Sequence, residues 1–271
     1  MGKSRSRTFR SYLVTTAIIA ACAIPLGGCE STSRMTTGSI GRASGKPVEQ
    51  MNSTELNQAL SSLGNAYNKN PKDKQAGLGY ANALRMTGRN DQALAVMRQI
   101  AIVHSNDREV LAAYGKALAG AGEFESALDA VKRAQRPDYP DWRLLSAEGA
   151  ILDQMGQQDG ARELYRKALD LQPDEPSVLS NLGMSYLLAD DLKTAETYMR
   201  SAAQSPGADS RVRQNLALVV GLQGRFDEAD QIARQELSPD KAEANVAYLR
   251  SMLAQQNSWA KLKDKDEAPA Q

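Results

Sequence analysis

The sequence predicts an all-α protein in which antiparallel helix pairs of constant length stack into an α-solenoid. Residues of matching size recur every 34 positions over most of the 271-residue chain. Aromatic residues make up only 5% of the sequence, which is low for a β-sandwich or barrel. A period of this length is typical of two short helices. Since one such pair cannot bury its own apolar face, neighbouring pairs must stack.

The composition is that of an ordinary globular protein, with 42% hydrophobic and 24% charged residues. One histidine, His104, and two cysteines argue against a zinc site or a histidine-dependent catalytic triad. The formal net charge of +1 gives no indication of a nucleic-acid partner. The sequence carries no nucleophile, zinc-protease or phosphate-binding motif, so we expect no enzymatic activity and no metal.

Residues 1–28 have the pattern of an export signal. Four basic residues, the last of them Arg10, precede an apolar stretch over 12–25. This stretch is shorter than the roughly 20 residues that a membrane-spanning helix needs, so a cleaved signal is favoured over a permanent anchor. It is followed by Leu26-Gly27-Gly28-Cys29, which resembles the lipobox of bacterial lipoproteins. The resemblance implies cleavage before Cys29 and a lipid on its thiol, the only cofactor that we expect.

Two alternatives concern this segment. Ile19-Ala20-Ala21-Cys22 also matches the lipobox pattern, but polar sequence begins only after Cys29, which is therefore the preferred site. The other alternative is an ordinary secreted protein that happens to carry a cysteine at this place.

The residue after the lipidated cysteine influences sorting in the lipoprotein family, where an aspartate often retains the protein at the inner membrane. Here it is Glu30, so the resemblance implies an outer-membrane location facing the periplasm. The lipid would anchor the chain firmly, because each buried CH₂ group contributes about 0.8 kcal/mol. Residues 29–52 are rich in Ser, Thr, Gly and Arg, and we expect a flexible tether there.

Four kinds of position carry the 34-residue period. A small residue stands at 81, 115, 149, 183 and 217, and a large apolar or aromatic residue stands three places later. A turn residue comes seven places after the small residue, and an alanine comes five places after the turn. The turn residues are Gly88, Gly122, Gly156, Asp190 and Gly224, and the alanines are Ala93, Ala127, Ala161, Ala195 and Ala229.

This set resembles the tetratricopeptide repeat (TPR), which has a small residue at position 8, a turn glycine at 15 and an alanine at 20. Residue 74 is then position 1, and the full repeats are 74–107, 108–141, 142–175, 176–209 and 210–243. We also expect a half repeat at 53–73, a capping helix at 244–256 and a disordered tail at 257–271. The resemblance implies a right-handed superhelix of antiparallel helix pairs.

Each part of the repeat has a local role. Position 15 should take a positive φ and end the first helix, which glycine does without steric cost. Small residues at positions 8 and 20 should let the two helix axes approach closely. Polar residues after the turn, Asn90, Asp159 and Asp227, are placed to cap the second helix.

The TPR resemblance implies a binding role, because TPR arrays bind extended or helical peptides in a groove. The first helix of each repeat lines it, at positions 2, 5, 9, 12 and 13. The lysine and asparagine pattern that clamps a C-terminal carboxylate in some members is absent, which argues against that ligand. The later repeats offer leucine and methionine with a few amides, which suits an amphipathic partner segment.

The candidate groove residues are Leu78, Asn82, Lys116, Asn181, Met184, Leu187, Leu188, Asn215, Leu218 and Leu222. The alternative interpretation is that positions 12 and 13 are buried between repeats and contact no partner.

The layout of lipobox, short tether and TPR array resembles the TPR lipoprotein of tight-adherence (Tad, Flp-type) pilus systems. The run over 244–253 is similar to the closing helix of that family. The resemblance implies protein partners, either the pilus secretin or other assembly components, and allows a role as a secretin pilotin. Two other functions stay open. One is an adaptor for cell-wall hydrolases or outer-membrane protein insertion, and the other is a scaffold that holds two periplasmic partners.

Overall fold

The computed structural model describes residues 51 and 53–266, and the side chains of residues 51 and 54–255. All regular structure in this part of the chain is α-helical, which confirms the predicted fold class. The predicted export signal with Cys22 and Cys29, nearly all of the predicted tether, and residues 267–271 lie outside the described residues.

Twelve helices occur in the described part of the chain. They are α1 (Ser53–Lys69), α2 (Lys74–Met86), α3 (Asn90–Val103), α4 (Arg108–Gly120), α5 (Phe124–Ala134), α6 (Trp142–Gln154), α7 (Gln158–Leu171), α8 (Pro176–Leu188), α9 (Leu192–Gln204), α10 (Ser210–Leu222), α11 (Phe226–Ala233) and α12 (Pro239–Asp266). Helices α2 to α11 form five successive pairs, and a turn of three residues joins the two helices of each pair. None of the helices in these described ranges combines the length and apolar character that a membrane span requires.

The chain forms two compact units, with the boundary between Leu164 and Tyr165 inside α7. The core of the first unit is one cluster of buried side chains that extends from α1 to α6 and includes Leu84. The main cluster of the second unit takes side chains from α8 to α12, among them Met199 and Val220. Each unit therefore has its own apolar core, as expected when helix pairs stack on their neighbours.

The turn inside each pair has the predicted backbone conformation. Its central residue has φ between 64° and 81° in all five pairs. These residues are Gly88, Gly122, Gly156, Asp190 and Gly224. The N–H group of the next residue donates to the carbonyl of position 11, as from Asp191 to Tyr186 at 3.0 Å. This bond satisfies a carbonyl at the end of the first helix and so terminates it.

Small residues at positions 8 and 20 bring the paired helices together, as predicted. The five alanines at position 20 are at most 1% exposed. A Cβ atom added to Gly115 would lie 2.6 Å from Cγ2 of Val131. One added to Gly183 would lie 3.1 Å from the carbonyl oxygen of Ala195. At these two crossings even a methyl group would displace a neighbouring atom.

The capping residues predicted for the second helices are wrong. Asn90, Asp159 and Asp227 stand at the first or second residue of α3, α7 and α11, so they are inside those helices. The reason is the short turn: the second helix begins at position 17, so the capping position is position 16, one or two residues earlier than predicted. At that position Arg89 and Arg225 make no side-chain capping bond, whereas Oδ1 of Asp191 accepts one from the N–H group of Thr194 at 3.1 Å.

A regular series of caps precedes the first helices instead. Carboxylates at position 34 of the preceding repeat accept hydrogen bonds from backbone N–H groups in the first helical turn. The oxygen Oδ1 of Asp107, for example, accepts from Glu109 and Val110 at 3.0 and 3.2 Å. The series is Asp73, Asp107, Asp141, Glu175 and Asp209. It satisfies N–H groups that the helix itself leaves without acceptors and so fixes where each first helix begins.

The last helix is longer than the capping helix predicted at 244–256. It begins at Pro239, because Ser238 offers its carbonyl to the N–H groups of Lys241 and Ala242, and proline is well suited to a first helical position. It continues to Asp266 and so covers most of the segment that was predicted to be disordered. No proline or glycine interrupts the sequence over 240–266, which is why nothing ends the helix earlier.

Candidate partner-binding site

The candidate site in the second unit is built on the first helices α8 and α10 and on α12, which comes after them in the same 34-residue register. Helix α8 contains no charged residue, and α10 contains only Arg211 and Arg213. The carboxylates near these helices cap them from the preceding loops, as Asp209 does for α10. The first helices of this unit are therefore apolar and amide-rich, without acidic side chains of their own.

All nine residues assigned to the groove at positions 5, 6, 9 and 13 are half-buried. Leu78, Asn82 and Lys116 belong to the first unit, while Asn181, Met184, Leu188, Asn215, Leu218 and Leu222 belong to the second. None of them is fully buried, and none is fully exposed. Each can therefore support the helices and still offer part of its surface to a partner.

Three of the apolar residues have a structural role as well. Met184, Leu218 and Leu222 pack against the main core cluster of the second unit. Leu187 is a correction to the prediction, because it is 2% exposed and belongs to that cluster itself. Its position, 12, faces the interior of the helix stack, as in the alternative interpretation. Leu188 and Leu222 at position 13 keep part of their surface open.

The amides of the site are already engaged within the protein. Nδ2 of Asn215 donates to Oγ of Ser180 at 3.1 Å and so joins α10 to α8. In the first unit Oδ1 of Asn82 accepts from Arg85 at 2.8 Å. These bonds orient the side chains. An amide group can make more than one hydrogen bond, so its remaining capacity can serve a ligand.

Two residues that the sequence analysis did not assign to the groove extend the site onto α12. Tyr248 stands at position 5 and Met252 at position 9, the positions of Ser180 and Met184 in α8. Tyr248 is 58% exposed, and Met252 is half-buried. The period continued past residue 243 gives this placement directly. The prediction stopped there because it treated the last helix only as a cap.

Helix α12 is held against α10 by close packing. A Cβ atom added to Gly221 of α10 would lie 2.9 Å from Cδ1 of Leu249, so a larger residue there would require the leucine side chain to move. Val246 joins the core cluster, and the guanidinium of Arg250 lies over the ring of Phe226 at 4.8 Å. Tyr248 therefore stands on a helix that packs against α10 and against Phe226 of α11.

An ion-pair network stiffens the second helices behind this site. The carboxylate of Glu196 in α9 accepts hydrogen bonds from Arg225 and from Gln223, the latter at 2.8 Å. Arg200 lies 2.7 Å from Glu196 and 2.5 Å from Glu228 of α11. Chiefly because of the bond from Arg225, with help from Gln223 and Arg200, the pKa of Glu196 falls to about 2. The network ties the fourth repeat to the fifth.

We find no arrangement suited to catalysis in the described part of the chain. It holds no group of three or more His, Cys, Asp or Glu residues that could bind a metal ion. The ring of His104 makes a 3.0 Å hydrogen-bonding contact with the carbonyl of Lys72, which joins two inter-repeat loops. That contact gives His104 a structural role.

Comparison with known protein families agrees with this architecture. A family model described as "Tetratricopeptide repeat" matches residues 53–117, and one described as "TPR repeat" matches residues 149–189. Together with the helix pairs and their turns, these matches support membership of the TPR superfamily. TPR proteins are generally interaction scaffolds, and no catalytic family is indicated. No curated protein matches the sequence.

Several solved structures share the fold. PilW, described as a widely conserved type IV pilus biogenesis factor, is 22% identical with a TM-score of 0.54, over 74% of this chain and 91% of that one. TTC0263, a TPR protein of Thermus thermophilus, is 23% identical with a TM-score of 0.54, over 62% and 91%. The APC/C hetero-tetramer Cut9–Hcn1 gives 17% identity and a TM-score of 0.57, over 75% of this chain and 40% of that one. At these identities the likeness shows the fold alone.

Proposed function

We propose that this protein is a non-enzymatic scaffold that holds a segment of another polypeptide on the first-helix face of its second unit. The observation that carries the proposal is Tyr248, a large side chain 58% exposed, four residues before Met252, which stands at the same repeat position as half-buried Met184 and Leu218. Exposed aromatic side chains beside apolar ones are typical of interaction surfaces, because they bury a large area with few rotatable bonds.

The chemistry of this face favours an amphipathic segment. Met184, Leu218 and Met252 offer flexible apolar contacts, and methionine adapts its shape to the side chain that it meets. Asn181 and Asn215 lie beside them and can add polar contacts to the partner's backbone. Helices α8 and α10 bring only two charged residues to the face, Arg211 and Arg213, and these pair with Asp209 and Glu236, so the face suits largely uncharged partner side chains.

We further propose that the protein is an outer-membrane lipoprotein, anchored through Cys29, that supports Tad/Flp-type pilus assembly. The lipobox, the short tether and the run over 244–253 support this proposal. PilW, which shares the fold, is named as a type IV pilus biogenesis factor. The partner would then be the pilus secretin or another assembly component, and a pilotin that helps the secretin insert is the most specific form of this role.

The test is co-purification of the secretin with the full chain in detergent. Tyr248→Asp removes the exposed ring without touching the core, and Met184→Glu combined with Leu218→Glu places charge on the same face. Both variants should lose the secretin, whereas Tyr139→Asp, which changes a tyrosine 75% exposed in the first unit, should keep it. Circular dichroism checks that each variant is folded, so that a loss can be attributed to the surface.

The salt dependence of this binding tests the kind of contact. A largely apolar interface should keep its partner at salt concentrations that screen charged contacts. Capture that disappears with modest salt would contradict an apolar face. Capture of a cell-wall hydrolase or of the outer-membrane insertion machinery, without the secretin, would replace the pilus role by the adaptor function.

A further inference from the structure

The first unit carries a second surface of unusual character, formed by its second helices α3 and α5 together with α4. Between α3 and α5 the structure has an open depression of about 310 Å³. Ligand sites span about 300 to 1,000 Å³, so this one has room for one or two side chains. It is lined by Arg98, Ala101, Ile102, Ser105, Leu111, Tyr114 and Arg133.

Ile102 is an apolar residue at this depression that does not contribute to the buried core. It is 79% exposed, and at the same position of the repeat, 29, the other four repeats carry polar residues. These are Arg136, Asp170, Gln204 and Ser238. An isoleucine exposed at the edge of an open depression, where the other repeats have polar side chains, is a suitable contact for a partner's apolar side chain. Val103, 41% exposed, enlarges the same apolar patch.

The charges around the depression select the partner. Arg98 and Arg133 line it, and no carboxylate is among its lining residues. Arg98 is paired with Glu123 at 2.5 Å and Arg133 lies 3.5 Å from Asp129, but a guanidinium has five N–H donors. Both arginines can therefore take a further acceptor, and a carboxylate is the acceptor that matches their geometry and charge best.

A neighbouring depression favours a basic residue in the adjoining part of the partner. It has a volume of about 490 Å³, shares Tyr114 and Arg133 with the first, and is also lined by Glu125 and Asp129. A segment that continues past Tyr114 meets these two carboxylates, so its next charged residue should be basic.

We infer that the depression between α3 and α5 is a second docking site, which takes an extended peptide segment with an aliphatic or aromatic side chain next to a carboxylate. The apolar side chain lies against Ile102 and the half-buried Ala101, and the carboxylate accepts hydrogen bonds from Arg98 and Arg133. This surface is built from α3, α4 and α5, whereas the face of the proposed function is built from α8, α10 and α12. One chain can therefore hold two partners.

The test uses a random peptide library displayed on phage, selected against the full chain in detergent micelles. Peptides enriched on the protein should carry an aliphatic or aromatic residue beside Asp or Glu. Their binding should fall about tenfold or more with Ile102→Ser or Arg133→Gln, since each change removes one of the two contacts. The control variants Tyr139→Ser and Arg136→Gln alter exposed residues outside the depression and should leave binding unchanged.

The variant Met184→Glu with Leu218→Glu distinguishes this site from the face of the proposed function. It should bind peptides selected by the depression as well as the unchanged protein does, even if the proposed function is wrong. The inference is overturned if the peptides that keep their binding to Met184→Glu with Leu218→Glu also bind Ile102→Ser and Arg133→Gln as well as they bind the unchanged protein. An enriched set without acidic residues would overturn it as well. A change in the sedimentation coefficient of the purified protein on Ile102→Ser would also overturn it, because the occupant would then be a second copy of the chain.

Discussion

Arg200 of α9 lies 2.5 Å from Glu228 of α11, and this pair connects the second helices of two successive repeats. Position 25, where Arg200 stands, is basic in all five repeats, and in the first four its side chain bonds to the next repeat. The remaining residues of the series are Arg98, Lys132, Arg166 and Arg234, with Glu123, Glu148, Tyr186 and Asp230 as partners. Arg234, directly after the last residue of α11, instead pairs with Asp230 of that helix.

The bridge around Glu196 should contribute measurably to stability. Glu196→Gln keeps the shape of the side chain but removes the charge that Arg200 and Arg225 share. Because the Glu196 side chain is 15% exposed, we expect the free energy of unfolding to fall by about 1 to 2 kcal/mol. Chemical denaturation measures the difference, and Asp227→Asn, which changes an exposed residue of α11, serves as the control.

The difference in unfolding free energy between the wild type and Glu196→Gln should depend on pH. The pKa of Glu196 is lowered from 4.5 to about 2 in the folded protein, so the stabilisation is fully present above pH 4.5. It is lost as the pH falls from 4.5 towards 2, where the folded protein also takes up the proton. The difference in unfolding free energy between wild type and Glu196→Gln should therefore shrink over this interval. A difference that stays constant with pH would show that the charge does not carry the effect.

The turn at Asp190 should be improved by glycine. Asp190 has φ 64°, a conformation that costs an L-residue about 1 kcal/mol, whereas four equivalent turns have glycine. We expect Asp190→Gly to raise the unfolding free energy by about 0.5 to 1 kcal/mol. Gly122→Ala should lower it by about 1 kcal/mol, and since a Cβ there has nothing within 4 Å, the cost is that of the backbone. Opposite signs in thermal denaturation support this account, and equal signs refute it.

The close crossing at Gly115 should be sensitive to one methyl group. Its Cβ would lie 2.6 Å from Val131, so Gly115→Ala should destabilise the first unit by about 1 to 3 kcal/mol. Adding Val131→Ala should recover part of the loss, although Val131→Ala alone is itself destabilising. A double-mutant cycle measures this coupling, and strictly additive effects would mean that the two residues do not constrain each other.

Substitution of the two cysteines tests the proposed lipid anchor. Cys29→Ser should abolish lipid attachment and leave the protein unprocessed or soluble, while Cys22→Ser should have no effect on acylation. Metabolic labelling with a radioactive fatty acid, followed by membrane fractionation, gives the readout. Acylation that persists in Cys29→Ser and disappears in Cys22→Ser would move the site to the earlier lipobox.

The sequence predicts those features of the fold that are determined by the residue type at a single position of the repeat. Gly122 and Ala127 recur at a fixed spacing because each turn and each helix crossing needs the same residue size, so the period reveals them. The cap at Asp107 has the same spacing, but its role becomes visible only when the start of the helix is known. The bridges from position 25 were not predictable, because their partners stand at different positions in each following repeat.

In the candidate site too, the sequence predicts the repeat positions of the residues but not how exposed they are. The period places Met184 and Leu218 on equivalent positions, but it cannot tell whether their surfaces are covered, which depends on the neighbouring helices. Leu187 was misassigned for this reason. Tyr248 was missed because the last helix was interpreted as a cap, although the period continues into it.

The most direct test of the central claim is photocrosslinking in cells that assemble the pilus. A photoreactive phenylalanine derivative at position 248 should form an adduct with the secretin or another pilus component, and the adduct should disappear when Met184→Glu and Leu218→Glu are added. The same group at position 139 should give no such adduct. Absence of any adduct from position 248, or an adduct that the two charge substitutions leave intact, would contradict the account.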